Sequence, residues 1–349
     1  MSSLKNLILA TSFALVLQVQ ADDPVKQKNG KTPAVCPSTC DLSTDGTYRV
    51  SVLGEFIYWK PLEGGTEFTF PTRTTAPIPG TTSPSYVPFK YEPGLRIGAK
   101  YCLPYNGWNT SFTALNLSSN VSTSLSGVLF PLQAAQSVIQ NPISQFTSAT
   151  SASAHWKLNY WVFDYRLGCE HPFCENFLVN PYCGVKGAII HQTFRYNYNN
   201  VSELTPATNN YEIATKNHCD NVGVQGGMRG EWVLWKGFRL VGDCSTALVY
   251  GWFDVHQTQS GQTGLANVIN FTTEFQRLLP TVDLMVALSW GDFFNDNTMH
   301  FDFHVGYQAQ YWWRQNQNPR FMDSGSPYYS LTSEDLGFQG LTLGGQFDF

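Results

Sequence analysis

The chain ends on an aromatic residue set in a two-residue rhythm. In the final stretch Leu341, Leu343, Gly345, Phe347 and Phe349 share one face of an extended strand, and Thr342, Gly344, Gln346 and Asp348 share the other. Soluble chains rarely finish this way, because termini fray and tend to be polar. A transmembrane β-barrel has a use for it, since its last strand seals the sheet and turns apolar side chains toward lipid. For this stretch alone, the edge strand of a soluble β-protein is the competing reading.

The other end bears on the choice. Met1–Ala21 carries one positive charge, Lys5, then an apolar run from Leu7 to Leu17 and a small-residue site at Val19-Gln20-Ala21. These are the parts of a secretory signal, and the apolar run is too short to span a bilayer as a helix. Residues 1–21 are therefore expected to be a signal peptide, 22–46 a Cys-containing periplasmic segment, and 47–349 the barrel. Cys36 lies too far from the cleavage site for a lipoprotein. Losing Lys5 with the leader moves the net charge from −5 to −6, and no basic block suggests nucleic acid.

Charged residues are only 13% of the chain and aromatics 15%, yet nothing after the leader approaches the ~18 consecutive apolar residues of a membrane helix. Alternation supplies strands instead. The clearest window sets His300, Asp302, His304, Gly306, Gln308 and Gln310 against Met299, Phe301, Phe303, Val305, Tyr307, Ala309 and Tyr311, a polar face opposite an apolar one. Similar windows run over 95–103, 222–234, 238–252 and 281–290, with weaker ones at 48–60, 108–118, 155–168 and 177–196. In the window 155–168 the polar face changes parity, from Lys157 and Asn159 to Asp164 and Arg166; a β-bulge near Val162 is the expected cause, a wrong register the other. With the closing strand the sequence predicts an antiparallel up-and-down barrel of ten strands.

Connection lengths test that prediction. From a periplasmic N-terminus, the connections after outward strands are Pro61–Lys90, Ser119–Ala154, Asn197–Asn217, His256–Glu274 and Trp313–Leu336, all long and rich in Thr, Ser, Asn, Gly and Pro. Those between are short: Pro104–Gly107, Cys169–Asn176, Trp235-Lys236-Gly237 and Gly291–Asn297. Strict alternation of long and short matches external loops and periplasmic turns. A soluble sandwich has no reason to alternate.

Several segments carry a family resemblance. Phe56-Ile57-Tyr58-Trp59-Lys60, Trp156-Lys157-Leu158-Asn159-Tyr160, Asp164-Tyr165-Arg166-Leu167-Gly168, Ala247-Leu248-Val249-Tyr250-Gly251, Pro280-Thr281-Val282-Asp283-Leu284 and the run from Gln310 to Gln317 resemble the Legionella-type major outer membrane protein family, in order, from about Tyr48 to the C-terminus. The resemblance implies an outer-membrane barrel that forms a pore for passive diffusion of small solutes, with no catalytic motif and no cofactor to carry over. The Cys-rich N-terminal stretch resembles the disulfide-linked porins of chlamydia-like bacteria. Outer-membrane lipids and the barrel-assembly machinery are then the expected partners, with Phe347 and Phe349 as the assembly signal, and a homo-oligomer, disulfide-linked or not, is compatible with the chain.

The cysteines are an even set in an exported chain, so disulfides are expected. Cys169 and Cys174 lie in one predicted turn and could close it; Cys36 and Cys40 could bond each other or a neighbouring chain. Zinc is the alternative, but no C-x-x-C pair occurs. Cys183 and Cys244 fall on apolar faces, where a free, buried thiol is expected. The row His300, Asp302, His304 has the residue types of a metal or acid–base set. A polar row lining a lumen explains it with fewer assumptions, and His191 is read the same way.

Inward positions carry Arg49, Glu55, Arg96, Lys100, Lys186, Arg229, Glu231, Arg239, Asp243, Asp283 and Asp302, of mixed sign. Paired across the lumen they plug it; separated by water they let it conduct with weak selectivity. Two other classes stay open. A surface adhesin or receptor would use the long external loops, and a barrel enzyme would need paired acids or a His–Asp couple at its outer mouth, where Glu203, Glu212, Asp323, Glu334 and Asp335 are the available acids.

Overall fold

The computed structural model describes residues 50–71, 83–103, 107–133, 148–174, 176–202, 208–261, 269–294, 299–321 and 329–349. The expected leader, the segment with Cys36 and Cys40, and Arg49 lie outside these residues. Ten strands form the wall: β1 (Val50–Glu63), β2 (Glu92–Cys102), β3 (Trp108–Pro131), β4 (Ala149–Cys169), β5 (Phe177–Ser202), β6 (Thr208–Trp235), β7 (Phe238–Gly261), β8 (Ile269–Phe294), β9 (Met299–Asn316) and β10 (Glu334–Asp348). Each pairs antiparallel with its chain neighbours, and β10 pairs with β1 along Ser51–Glu63, which closes the sheet. Val50 and Phe349 exchange both backbone hydrogen bonds, at 2.9 and 3.0 Å, so the seam is bonded to the final residue.

The register fixes the barrel's dimensions. Hydrogen-bonded neighbours run from Trp252 of β7 through Asp220, Ile189, Trp161, Asn116, Leu95, Phe56, Leu343, Val305 and Leu288, then back to β7 at Leu240. The row has slipped by 12 residues (252 − 240). For ten strands this shear means a tilt of about 40° and a backbone radius of about 10 Å. Such a cylinder is narrow enough for side chains to fill.

At the periplasmic end the hairpins are tight. Lys236 and Gly237 both take positive φ, 45° and 82°, the two-residue turn whose twist suits adjoining antiparallel strands. A Cβ on Gly237 would lie 2.3 Å from the carbonyl oxygen of Gly291, so glycine is required there for space as well as for backbone angle.

At the opposite end the strands outrun the sequence-based expectation. Most of the span 119–154 is wall, because β3 continues to Pro131 and β4 begins at Ala149. The spans 197–217 and 256–274 likewise become the upper parts of β5 and β6 and of β7 and β8, which reach 24–28 residues. Only about 9–11 tilted residues are needed to cross a bilayer. Within the other two expected loops, short strands occur at Glu67–Pro71, Ser85–Tyr86, Pro319–Phe321 and Tyr329–Leu331.

The upper wall reads as loop in the sequence because its polarity is inverted. On β4, Trp156, Leu158 and Tyr160 point inward while Lys157 and Asn159 point out; farther down, Asp164 and Arg166 point inward while Phe163 and Tyr165 point out. No bulge separates the halves. Val162 pairs in unbroken register with Leu115 on one side and Ala188 on the other. The parity change instead marks the level where the outer medium turns from lipid to water. β3 repeats it, with Phe112 and Ala114 outward below and Ser118, Asn120 and Ser122 outward above. On β5 the change falls between Ile189 and His191, on β6 between Val222 and Asp220, and on β7 between Trp252 and Asp254.

Met299–Tyr311 is strand, with Phe301, Phe303, Val305 and Tyr307 exposed on the lipid side. Phe303→Arg should therefore cost about 2–4 kcal/mol if this side chain sits near mid-bilayer, whereas Asn159→Arg, outward but above the belt, should change stability by less than about 0.5 kcal/mol. Urea-dependent folding into lipid vesicles measures both. Equal penalties would contradict the polarity switch.

Candidate functional site: the lumen

The lumen has two layers, each a consequence of strand parity. In the membrane-level layer, Arg96 on β2 lies opposite Glu55 on β1 and pairs with it at 2.5 Å. Its second nitrogen donates to Gln308 on β9 at 2.9 Å. Lys186 pairs with Asp164 at 2.8 Å, Arg166 with Asp243 at 3.2 Å, and Lys100 with Glu170 at 2.5 Å. Arg239 bridges Glu231, at 3.2 Å, and Asp302, while Arg229 reaches Glu231 at 2.9 Å. Each inward guanidinium or ammonium group here has a carboxylate partner, as buried charge requires. What remains open is a cavity of about 140 Å³ lined by these groups.

Above lies an aromatic layer. Trp59, Trp156, Tyr160, Phe194, Tyr198, Trp312 and Phe338 are all essentially fully buried within the barrel. Tyr160 stacks on Phe338 with centroids 4.3 Å apart, and Trp312 meets the Tyr160 ring edge-on. Segments outside the wall add to this layer: the hydroxyl of Tyr198 donates to the Phe68 carbonyl at 2.5 Å, and Phe89 packs edge-on against Trp156.

A hydrogen-bond chain joins the layers across the lumen. Trp312 Nε1 donates to the Tyr160 hydroxyl (2.8 Å), which donates to Gln310 (2.6 Å), which donates to Asp283 (3.0 Å). Gln308 donates to the other oxygen of Asp283 (2.6 Å) while accepting from Arg96. Arg96 also lies over the Trp59 ring at 5.5 Å. Higher up, Gln192 on β5 donates to Glu63 on β1 at 3.0 Å.

All the sequence-derived lumen candidates, Arg96, Lys100, Lys186, Arg229, Glu231, Arg239, Asp243, Asp283, His300, Asp302 and His304, lie on inward positions of their strands. His300 pairs with Asp348 at 2.7 Å and His304 with Glu55 at 3.1 Å. The second contact passes over Gly344, where a Cβ would lie 2.5 Å from the His304 ring. Among the described residues no cluster of His, Cys, Asp and Glu has a metal-binding arrangement.

Four expectations are corrected. His191 faces outward, because it lies above the polarity switch; its ring stacks on His218 at 4.3 Å and approaches Asp220 at 3.7 Å. The bulge at Val162 is absent, as described. Cys169 and Cys174 form no bridge, and Cys174 carries a free thiol. The chain between them is extended and pairs with β5, with Cys174 opposite Phe177, so five steps carry the two Cα atoms roughly 15 Å apart, well beyond disulfide range. Cys183 and Cys244 are free thiols, but they are exposed on the outer face of the wall and not buried in it. Cys102 is disulfide-bonded, a role the turn-based reading does not assign to it.

The lumen candidates also leave out Tyr160, Arg166, Glu170 and Gln308, although Gln308 stands on the polar face of its window. The signal for Arg166 is present in the sequence, as one half of the parity change on β4.

The family described as Legionella pneumophila major outer membrane protein precursor matches residues 45–349. The chain belongs to that family. It is accordingly an outer-membrane protein of this Legionella-type family, and its belt of exposed apolar side chains faces the membrane. No curated protein matches the chain. Among solved structures, the outer membrane protease OmpT from Escherichia coli is 9% identical with a TM-score of 0.41, covering 91% of this chain and 99% of its own. A major outer membrane protein from Thermus thermophilus is 11% identical with a TM-score of 0.31, covering 87% and 100%. A Pseudomonas aeruginosa FadL homologue is 6% identical with a TM-score of 0.27, covering 89% and 92%.

Gly344→Ala should displace His304 and break its bond to Glu55, at a cost of about 1–3 kcal/mol. Gly54→Ala, where a Cβ meets nothing within 4 Å, should be close to neutral by the same folding measurement. Tyr160→Phe should cost about 1–3 kcal/mol, because it leaves the Trp312 N–H and the Gln310 oxygen unpartnered in a buried place.

Proposed function

We propose that this family member is a narrow outer-membrane channel for ions or small polar solutes, closed in the conformation described by its aromatic layer. The observation that carries the reading is the membrane-level lumen. It is lined by compensated charge around a polar cavity and is capped by the aromatic layer, whose innermost side chains are Tyr160, Trp312 and Phe338. Charge of mixed sign favours weak ion selectivity, since a permeating ion meets both cations and carboxylates at close range.

A catalytic role is disfavoured by where the His–acid pairs lie. His300–Asp348 and His304–Glu55 are buried inside the wall, and His191–Asp220 stands on the outer face just above the polarity switch, so none of these pairs is at an open outer mouth. A second reading, a surface adhesin or receptor, is favoured by one observation: the wall continues well above the lipid belt with a polar outer face rich in Ser, Thr and Asn.

Planar-bilayer recording separates these readings. The wild-type barrel should be silent or open rarely. Trp312→Ala combined with Tyr160→Ala should give stepwise conductance, and adding Arg229→Glu should shift preference toward cations. A wild type that conducts as freely as the double variant would remove the plug from the proposal. A double variant that folds yet stays silent would remove the channel and leave surface binding.

A further inference from the structure

Two groups of cations in this acidic chain stand in contrast. Those pointing inward at membrane level are ion-paired. On the outer face, Lys157 of β4, Arg195 of β5 and Lys216 of β6 are exposed, and among the described residues none of the three is in an ion pair. The register brings them together. Lys157 and Lys216 both lie opposite Thr193, one on each flanking strand, and Arg195 follows Thr193 on the same face. Lys157 and Lys216 are thus about 10 Å apart, with Arg195 about 7 Å along the strand, so the three long side chains can converge over Thr193. His155 lies opposite Arg195, and His256 lies opposite Lys216.

The height of this triangle is informative. Four residues toward the membrane, past a polar row of Asn159, His191, His218 and Asp254, Trp161, Ile189 and Trp252 end the apolar belt. Aromatic side chains mark the interface between hydrocarbon and headgroups. Among the described residues the nearest outward carboxylates are Glu212, diagonal to Arg195, and Asp254, diagonal to Lys216, neither of them in an ion pair with these cations; Asp220 lies farther below and Glu274 lies opposite Asp254. Cations outside any ion pair, about 10 Å above an aromatic girdle, stand at the height of lipid phosphates.

We propose that Lys157, Arg195 and Lys216 form a docking site for the phosphate groups of an anionic outer-leaflet lipid. The lipid's acyl chains would lie along the belt below, over Val185, Ile189 and Val222, and a headgroup phosphate would sit over Thr193. Each cation contributes electrostatically and through charge-assisted hydrogen bonds. The site holds a boundary lipid and is independent of whether the lumen conducts.

The test uses the purified full chain, folded in neutral detergent, with lipid A as the probe in its diphosphorylated and fully dephosphorylated forms. Bound lipid is counted by native mass spectrometry across a titration. The diphosphorylated form should bind, and the triple variant Lys157→Gln/Arg195→Gln/Lys216→Gln should weaken it by at least about tenfold. Lys236→Gln, in the periplasmic turn, should bind like wild type. Far-ultraviolet circular dichroism and heat-dependent gel mobility confirm that each variant is folded. Equal binding by the triple variant, or equal binding of dephosphorylated lipid, would overturn the proposal. Displacement of the lipid by millimolar inorganic phosphate would assign the site to the free anion and overturn the lipid assignment.

Discussion

The closure of β1 onto β10 is the constraint on which the rest depends. In hydrocarbon an unpaired backbone N–H or C=O has no partner, so a sheet can cross a bilayer only if it has no edge. The seam supplies that condition down to the mutual bonds of Val50 and Phe349. Once the ring is closed with ten strands and a shear of 12 residues, its radius is set. A radius of about 10 Å leaves an interior the size of a protein core. The chain fills it with two kinds of matter, ion pairs where lipid surrounds the wall and aromatic rings where water does.

That arrangement inverts the usual logic of a soluble β-protein in one half and keeps it in the other. Below the switch, the outside is apolar because its solvent is lipid, and the inside must be polar if the sheet alternates. Above the switch, the outside is solvated, and the inside becomes a hydrophobic core. Neither half could exchange sides with the other. Arg96 stands at the join: its guanidinium reaches Glu55 and Gln308 and lies over the Trp59 ring, so the two layers are held by shared contacts.

The strand count and the inward positions of the lumen charges can be read from alternation, because a lipid-facing strand cannot avoid it; the strict alternation of long and short connections does not hold, because much of the expected loop is wall. Two-residue periodicity shows on every strand where the contrast between lipid and lumen is sharp, as in Met299–Tyr311. The upper wall escapes such a reading because Ser118, Asn120, Ser122 and Ser124, alternating with Val121, Thr123 and Leu125, have the composition of loops. The parity change at Lys157–Arg166 is visible, but a bulge and a change of solvent leave the same trace in sequence. Pairings across the lumen, such as Tyr160 to Gln310, are out of reach. They depend on the shear, and no local pattern encodes it. The cysteine turn fails for a related reason: five residues apart means near only if the chain bends, and His171–Cys174 is extended.

The tall wall has a consequence for what lies outside the cell. With a rise of about 2.5 Å per tilted residue, the strands that pass the polarity switch carry their tips about 20–40 Å beyond the lipid surface. The ends of β3, β5 and β6 are thereby set on a rigid pedestal, and its height is fixed by hydrogen-bonded backbone. A molecule approaching the membrane meets those tips before it meets lipid. Because the pedestal is continuous with the sheet that anchors it, a sideways pull on the tips is borne by the whole hydrogen-bonded ring, so the wall works as a lever arm fixed in the bilayer.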